Sequence, residues 1–356
     1  MINPNPISIF TNSKIYVACP AHTATGGPEL LQQLVFHLRK DLGLNAFIYY
    51  YPSSCSEPIH PDYLVYDNPY CDVIEDSMNN LLIVPESKPT LALLVPFKNI
   101  RKAIWWLSID NYYLSHFLAS KKNGLLKRAV NKLCSYFSWS EVFEIRLTPK
   151  IEKRFSPLKN PIVISADFHF TNSYRGMEYL INLGLTEVKY LSEYLNLEFL
   201  SLQTNLQMKK DIVAYNPKKG NVFTQILMQK APDITFIPIE NLGRDEVISL
   251  LQKAKVYIDF GNHPGKDRLP REAAILQCCV ITGKRGSAGN SKDVAIPENY
   301  KFDDSIKSCK AILGTIRQCF HSYEKNLKYF EEYRSIIRDE PQQFIYDLKS
   351  LFVYVE

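Results

Sequence analysis

The residues best suited to chemistry in this sequence crowd into one stretch, 256-VYIDFGNHPGKDRLPREAAILQCCVITGKRGSAGN-290. Between positions 261 and 292, six cations (Lys266, Arg268, Arg271, Lys284, Arg285 and Lys292) stand against two anions (Asp267 and Glu272). Glycine and proline punctuate the same stretch and gather these charges around two loops. Such loops suit phosphate: backbone N–H groups at helix N-termini point at the anion, and Lys or Arg neutralises it. Lys218 and Lys219, in 215-YNPKKG-220, lie between a predicted strand and a predicted helix and meet a diphosphate in the same way. Asp110 follows an apolar strand beside Trp105, Trp106, Tyr112 and Tyr113. That grouping suits a sugar, because carboxylates accept from hydroxyls and ring faces cover C–H surface; the competing reading is a cap for the following helix. His169 also follows a strand end, and its ring suits proton transfer, although a lone histidine serves structure as readily.

The elements that must position these residues alternate strand and helix. Val256 to Phe260 is rich in β-branched and aromatic residues and is stopped by Gly261, Asn262, Pro264 and Gly265. A helix is predicted from Pro270, whose missing N–H costs nothing at a first helical position, and a second buried strand over Cys278 to Thr282. Upstream, Ile212 to Tyr215 and Thr235 to Pro238 read as strands, with helices over about 221–230 and 244–253. The first half repeats the order: strand Lys14 to Cys19, a loop with Gly26 and Gly27, helix to Gly43, strand Ala46 to Tyr51. The two glycines allow close approach of a ligand or supply a tight connection with positive φ. Further strands are predicted at Leu81 to Val84, Leu91 to Leu94, Pro161 to Ala166 and Val188 to Leu191, with Asn172 or Ser173 capping the helix between the last two. Residues 52–76 read as irregular, and about 305–356 as helical with a break at Pro341.

The whole is an α/β chain of two Rossmann-like domains, expected at 1–205 (with the C-terminal helix 341–356 packing back on it) and 206–340, facing across a cleft. GxGxxG is absent, which argues against a nicotinamide dinucleotide. At 356 residues, 46% hydrophobic and net charge +5, the chain suits anionic small ligands or an anionic membrane surface, and no nucleic acid is expected. The eight cysteines form no CxxC pair and no zinc spacing, so the thiols are read as reduced and no metal is expected. No charged leader and no apolar run of membrane-spanning length is visible, which predicts a cytoplasmic protein. Residues 119–139 alternate Lys and Arg with Leu, Val and Phe at helical spacing. They read as a peripheral contact with anionic membrane or as a core helix with a solvated cationic back.

These motifs resemble the GT-B-fold glycosyltransferases, specifically the retaining nucleotide-sugar-dependent enzymes of bacterial capsule and lipopolysaccharide synthesis. Gly26-Gly27-Pro28-Glu29 is similar to the family's GG loop, 215-YNPKKG-220 to its donor-phosphate loop, and 270-PREAAILQCCVIT-282 to its P-x-x-E-A-x-x-x-G-x-P-V-I-x run. The resemblance implies a transferase that moves a sugar from a nucleotide-sugar donor to a glycan or lipid-linked acceptor and needs no cofactor. It implies that Glu272 holds donor ribose, Lys219 or Lys218 the diphosphate, Ile239 to Leu242 (with Asn241) the base, and that Gly286 and Ser287 close the phosphate site. In place of the first acid of the family's E-x7-E stands Pro264, next to His263, and Arg268 or Lys266 would supply the usual phosphate-loop Arg charge. In a retaining enzyme the leaving phosphate takes the acceptor proton; Asp110 and His169 are the catalytic candidates if a protein base is used. Two other readings fit the same residues: a nucleotide-sugar epimerase, and a noncatalytic GT-B module that binds a glycan or a partner.

Overall fold

The computed structural model describes residues 6–53, 55–121 and 148–355; most of the basic stretch 119–139 lies outside the described residues. In chain order the strands are β1 (Ile7–Phe10), β2 (Lys14–Pro20), β3 (Asn45–Tyr51), β4 (Leu81–Pro85), β5 (Arg101–Trp106), β6 (Phe168–Thr171), β7 (Val188–Tyr190), β8 (Lys210–Tyr215), β9 (Thr235–Pro238), β10 (Ala254–Asp259), β11 (Cys279–Gly283), β12 (Lys301–Phe302) and β13 (Phe352–Val355). The longer helices are α1 (Gly26–Lys40), α2 (Ile109–Lys121), α3 (Tyr174–Leu183), α4 (Asn221–Lys230), α5 (Arg244–Lys253), α6 (Arg268–Ile275), α7 (Cys309–His321) and α8 (Glu331–Leu351). Contacts divide the chain into two compact units, one drawn from Met1–Ser120, Leu147–Tyr194 and Pro341–Glu356, the other built on Leu195–Glu340.

The first unit holds a six-stranded parallel sheet in the order β3-β2-β4-β5-β6-β7. Its strands are apolar on both faces, as a covered parallel sheet requires. Along β2, Ile15, Val17 and Cys19 join one core with Leu31, Leu34 and Leu38 of α1, while Tyr16 and Ala18 join the opposite core with Trp106 and Tyr112. β1 and β13 pair as a separate two-stranded parallel ribbon.

The second unit holds a five-stranded parallel sheet, β12-β11-β10-β8-β9. In both sheets the chain leaves a starting strand to one side and returns to the other, so strand order reverses between β2 and β4 and between β8 and β10. The carboxyl ends of such neighbouring strands form the ligand crevice of open α/β sheets, because their outgoing loops diverge there.

Four sequence expectations change. Pro161–Ile164 is a short helix rather than a strand, because Asn160 Oδ1 accepts from Ile162 N–H (3.1 Å) and proline fits the first turn; the strand is β6, immediately downstream. Leu91 to Leu94 lies in helical turns, Lys88–Leu91 and Ala92–Leu94. Helix α8 runs through Pro341 instead of breaking there. Tyr333 and Ile337 before the proline, and Phe344, Leu348 and Leu351 after it, are all buried, and their packing outweighs the ~3 kcal/mol that an interior proline costs. Trp105, Trp106, Tyr112 and Tyr113 are core residues, each no more than 1% exposed, and cover no ligand surface. Trp105 and Trp106 lie on β5, an interior strand with packed layers on both faces, and Tyr112 and Tyr113 of α2 pack into the core beside Trp106.

Candidate functional site

At the reversal point of the second sheet, three outgoing loops meet. Gly220 ends the β8 loop with φ +59°, and a methyl built on it would lie 2.0 Å from the Phe260 carbonyl oxygen. Gly286 ends the turn after β11 with φ +67°, and a methyl there would lie 2.0 Å from the His263 carbonyl oxygen. Both glycines therefore serve backbone-to-backbone approach as well as left-handed φ. Ser287 N–H donates to that His263 carbonyl (2.9 Å), which ties the β10 and β11 loops together. Lys218 N–H donates to Asn216 Oδ1 (3.0 Å), a local turn that leaves the Lys218 side chain exposed.

Under these loops lies a buried chain of ionisable groups. The Lys219 ammonium is ion-paired with Asp267 at the start of α6. Asp267 Oδ2 lies 2.7 Å from His263 Nδ1, and the other ring nitrogen, Nε2, lies 3.3 Å from the Asp259 carbonyl and 3.8 Å from its carboxylate. Tyr257 donates to the far oxygen of that carboxylate (2.8 Å). Burial disfavours the charged form of every member, but neighbours decide the outcome. At Asp267, burial is outweighed by Lys219 and His263, and the carboxyl is held well below the usual range. At His263, burial is outweighed by Asp259 and Asp267, and the imidazole is held above its ordinary value. At Asp259 burial prevails over His263 and Lys219, and the carboxyl is raised. Asp259, His263 and Asp267 bring their ligand-type atoms within 4.8 Å of one another. Because the two carboxylates face opposite nitrogens of one ring and Lys219 already holds Asp267, the charges present suit an imidazolium between two carboxylates.

The remaining expected donor-site residues divide. Lys266 Nζ lies 2.6 Å from Glu340 of α8, and Arg271 Nη1 lies 2.9 Å from the same carboxylate. Arg268 Nε lies 3.4 Å from Glu272 on the next turn of α6. Asn241 is exposed in the loop between β9 and α5 with φ +56°, next to the buried Ile239. The fold thus brings Lys219, His263, Gly286 and Ser287 together and directs Lys266 to Glu340.

In the first unit the reversal point carries the loop from β2 into α1. Neither Gly26 nor Gly27 has positive φ, and a methyl on Gly27 would make ordinary contact with Leu107 Cδ1 at 3.5 Å. Tyr63, in a stretch read as irregular, clamps this loop: its hydroxyl accepts from Thr25 N–H (3.1 Å) and donates to Thr25 O (3.0 Å). At the end of β4, buried Glu86 accepts from Leu107 N–H (3.0 Å) and from Asn111 Nδ2 (2.8 Å), and burial pushes its carboxyl up to about 7. Asp110 sits in the first turn of α2, paired with Arg175 of α3 at 2.9 Å. His169 is buried within β6, accepts from Trp106 Nε1 at 3.2 Å, and is pushed by burial down to about 4.

That depression has a measurable consequence. A histidine neutral in the folded state but protonated in the unfolded chain contributes stability that is fully present above pH 6.5 and is lost as pH falls toward 4. His116, also lowered by burial to about 4, adds to the loss. For the deeply buried His169 a shift of this size is worth at most about 3 kcal/mol, and the partly exposed His116 contributes less. Urea unfolding of His169→Gln between pH 7 and pH 4 is expected to show a smaller acid loss than wild type; an unchanged slope would remove His169 as a source.

Residues Tyr257, Asp259, Asp267, Glu340, Glu86 and Tyr63 were not among the expected site residues. The spacing Asp259-x3-His263-x3-Asp267 at the end of a strand was the available signal for two of them, Asp259 and Asp267.

No protein-family model matches the sequence, and no curated protein does. Solved structures do match. The chain is similar to Anabaena Alr3699/HepE in complex with UDP-glucose, at 12% identity and TM-score 0.55, over 95% of this chain and 100% of that one. It is similar to the Candida albicans trehalose-6-phosphate phosphatase N-terminal domain, at 11% identity and TM-score 0.56, over 96% and 97% of the two chains. It is also similar to the lipopolysaccharide outer core galactosyltransferase WaaB, at 8% identity and TM-score 0.50, over 94% and 99%. Two parallel α/β units, each with its own reversal point, matched along nearly their whole length to glycosyltransferases of this architecture, give the chain the GT-B fold.

Proposed function

We infer that the protein is a glycosyltransferase that takes a sugar from a nucleotide-sugar donor to a cell-surface polysaccharide or lipid-linked glycan. The observation that carries the reading is the reversal point of the second sheet. There Lys219 and two glycine-dependent backbone approaches border one crevice, in a fold shared with a protein solved with UDP-glucose. Departure of a nucleoside diphosphate needs positive charge and N–H donors already in place, and such preorganisation supplies much of the catalysis in a transferase. Lys219 and the loop at Gly286 and Ser287 supply them here, without a metal. In a retaining transfer the departing phosphate accepts the acceptor proton, which agrees with a buried, neutral His169 and an Asp110 committed to Arg175.

Among the described residues no helix is long and apolar enough to cross a membrane. Contact with a lipid-linked acceptor would fall to the basic residues of 119–139. Binding to anionic vesicles that survives replacement of Lys121, Lys122, Lys127, Arg128 and Lys132 by Gln would remove that part of the reading.

A panel of nucleoside diphosphate sugars tests the whole. Thermal stabilisation by UDP or another nucleoside diphosphate, with donor consumption that depends on acceptor and persists in EDTA, is expected. Donor turnover without acceptor would indicate an epimerase or hydrolase. No stabilisation at saturating nucleotide would leave a noncatalytic module. Glu272→Ala is expected to weaken nucleotide binding while the chain stays folded.

A further inference from the structure

The lysine best placed for a diphosphate is already ion-paired. Lys219 rests on Asp267, and its side chain is 13% exposed against 17% for Asp267. An incoming diphosphate must therefore compete with a carboxylate for that ammonium. Behind Asp267, and wholly buried, stands His263, 2.7 Å from the same oxygen that meets Lys219. Its carbonyl and Gly286 form the backbone contact that shapes the phosphate loop.

We propose that Lys219 changes partner when a nucleoside diphosphate binds, leaving Asp267 to the ring of His263, so that His263 is a positioning residue for the phosphate-binding lysine. The inference rests on the donor-site reading above and adds its regulation. With His263 protonated, the Asp267 carboxylate keeps a cationic neighbour after Lys219 departs. With His263 neutral, departure of Lys219 would strip a buried carboxylate of positive charge, which is costly, so the ion pair holds and the diphosphate is bound weakly.

The groups facing His263 define the pH window. From β10 comes Asp259, with Tyr257 on its far oxygen, from the β8 loop Lys219, and from the start of α6 Asp267. The β11 loop contributes backbone only, since the Arg285 side chain pairs with Asp304. Lys266 and Arg271 are held by Glu340. Burial raises the Tyr257 phenol far above neutrality, and the Asp267 carboxyl ionises well below it. Asp259 and Asp267 outweigh burial at His263 and hold its imidazole above its ordinary value. The second ionisation of a terminal phosphate is complete above about pH 7. A change in affinity above that pH therefore belongs to the protein.

Calorimetric titration of the full chain with UDP from about pH 7 to about pH 9 tests this. Wild-type affinity is expected to fall as pH rises through the His263 transition, with a limiting slope on the order of tenfold per pH unit for one linked proton. His263→Gln is expected to bind weakly at every pH, without the step. Asp267→Asn, which removes the competitor for Lys219, is expected to bind at least as tightly as wild type, also without the step; it decides the matter if the fully buried His263 variant fails to fold. A wild-type profile flat above pH 7, or an Asp267→Asn protein that binds less tightly and keeps the step, overturns the partner exchange and leaves the donor site standing. Absence of UDP and other nucleoside diphosphate binding in all three proteins overturns the donor site and this inference together.

Discussion

Gly220→Ala is expected to abolish measurable nucleoside diphosphate binding and to destabilise the second unit by about 3 kcal/mol or more. Two effects add. An alanine held at φ +59° pays roughly 1 kcal/mol for the left-handed conformation. Its methyl would also lie 2.0 Å from the Phe260 carbonyl oxygen, in an interval closed on both sides by main chain. Neither side can yield without separating the β8 loop from the β10 loop, and losses of this size arise where strain and overpacking coincide. Gly314 is the control. It lies within α7, where a methyl would meet nothing within 4 Å. Alanine there is expected to stabilise by roughly 0.5–1 kcal/mol, since glycine is the poorer helix residue. Urea midpoints and UDP titrations of the two variants give the comparison. Wild-type-like affinity in Gly220→Ala would mean that the two loops do not set the phosphate site.

Glu340→Ala is expected to cost about 3–5 kcal/mol, the range for breaking a buried pair by removing one partner. The carboxylate neutralises both Lys266 and Arg271, whose side chains are 7% and 1% exposed. Alanine leaves two buried cations without the anion they share. Glu340→Gln keeps the volume and one acceptor and is expected to cost less. Adding Lys266→Met to Glu340→Ala is expected to recover part of the loss, because one of the two cations is then gone. A Glu340→Ala protein within 1 kcal/mol of wild type in urea would show that water neutralises the pair. The same geometry bears on function: a cation already matched by a buried carboxylate is a poor phosphate ligand, so Lys266→Met alone is expected to affect stability more than UDP affinity.

Much of the framework was legible from the chain alone. Runs such as Lys14 to Cys19 and Val256 to Phe260, each followed by glycine or proline and then a helical period, have one physical reading, a covered parallel strand with its outgoing loop. β8, α4, β9, α5 and β10 accordingly fall within a residue or two of expectation. The loops with clustered cations could be located for the same reason, since loop position follows from element order. Local patterns failed where tertiary context outweighs them. Pro161 and Asn160 made a helical turn from an apolar run that also fits a strand, and Pro341 was absorbed into α8 because the apolar residues on either side are buried.

Partner choice was decided only in three dimensions. Composition placed six cations near the two loops of 261–292 and two more at 218–219, but charge alone does not tell Lys266, matched by a glutamate 74 residues away in sequence, from Lys219, held at the crevice by Asp267. Nor does a histidine between a glycine-rich loop and a helix announce that both of its nitrogens face carboxylates. The sequence determined an α/β chain with phosphate-seeking loops, because strand, helix and loop propensities are properties of neighbours along the chain. Which cations are neutralised, which histidine is charged and which aromatics are core depend on distances of 3–4 Å between residues far apart in sequence, and those the folded structure alone sets.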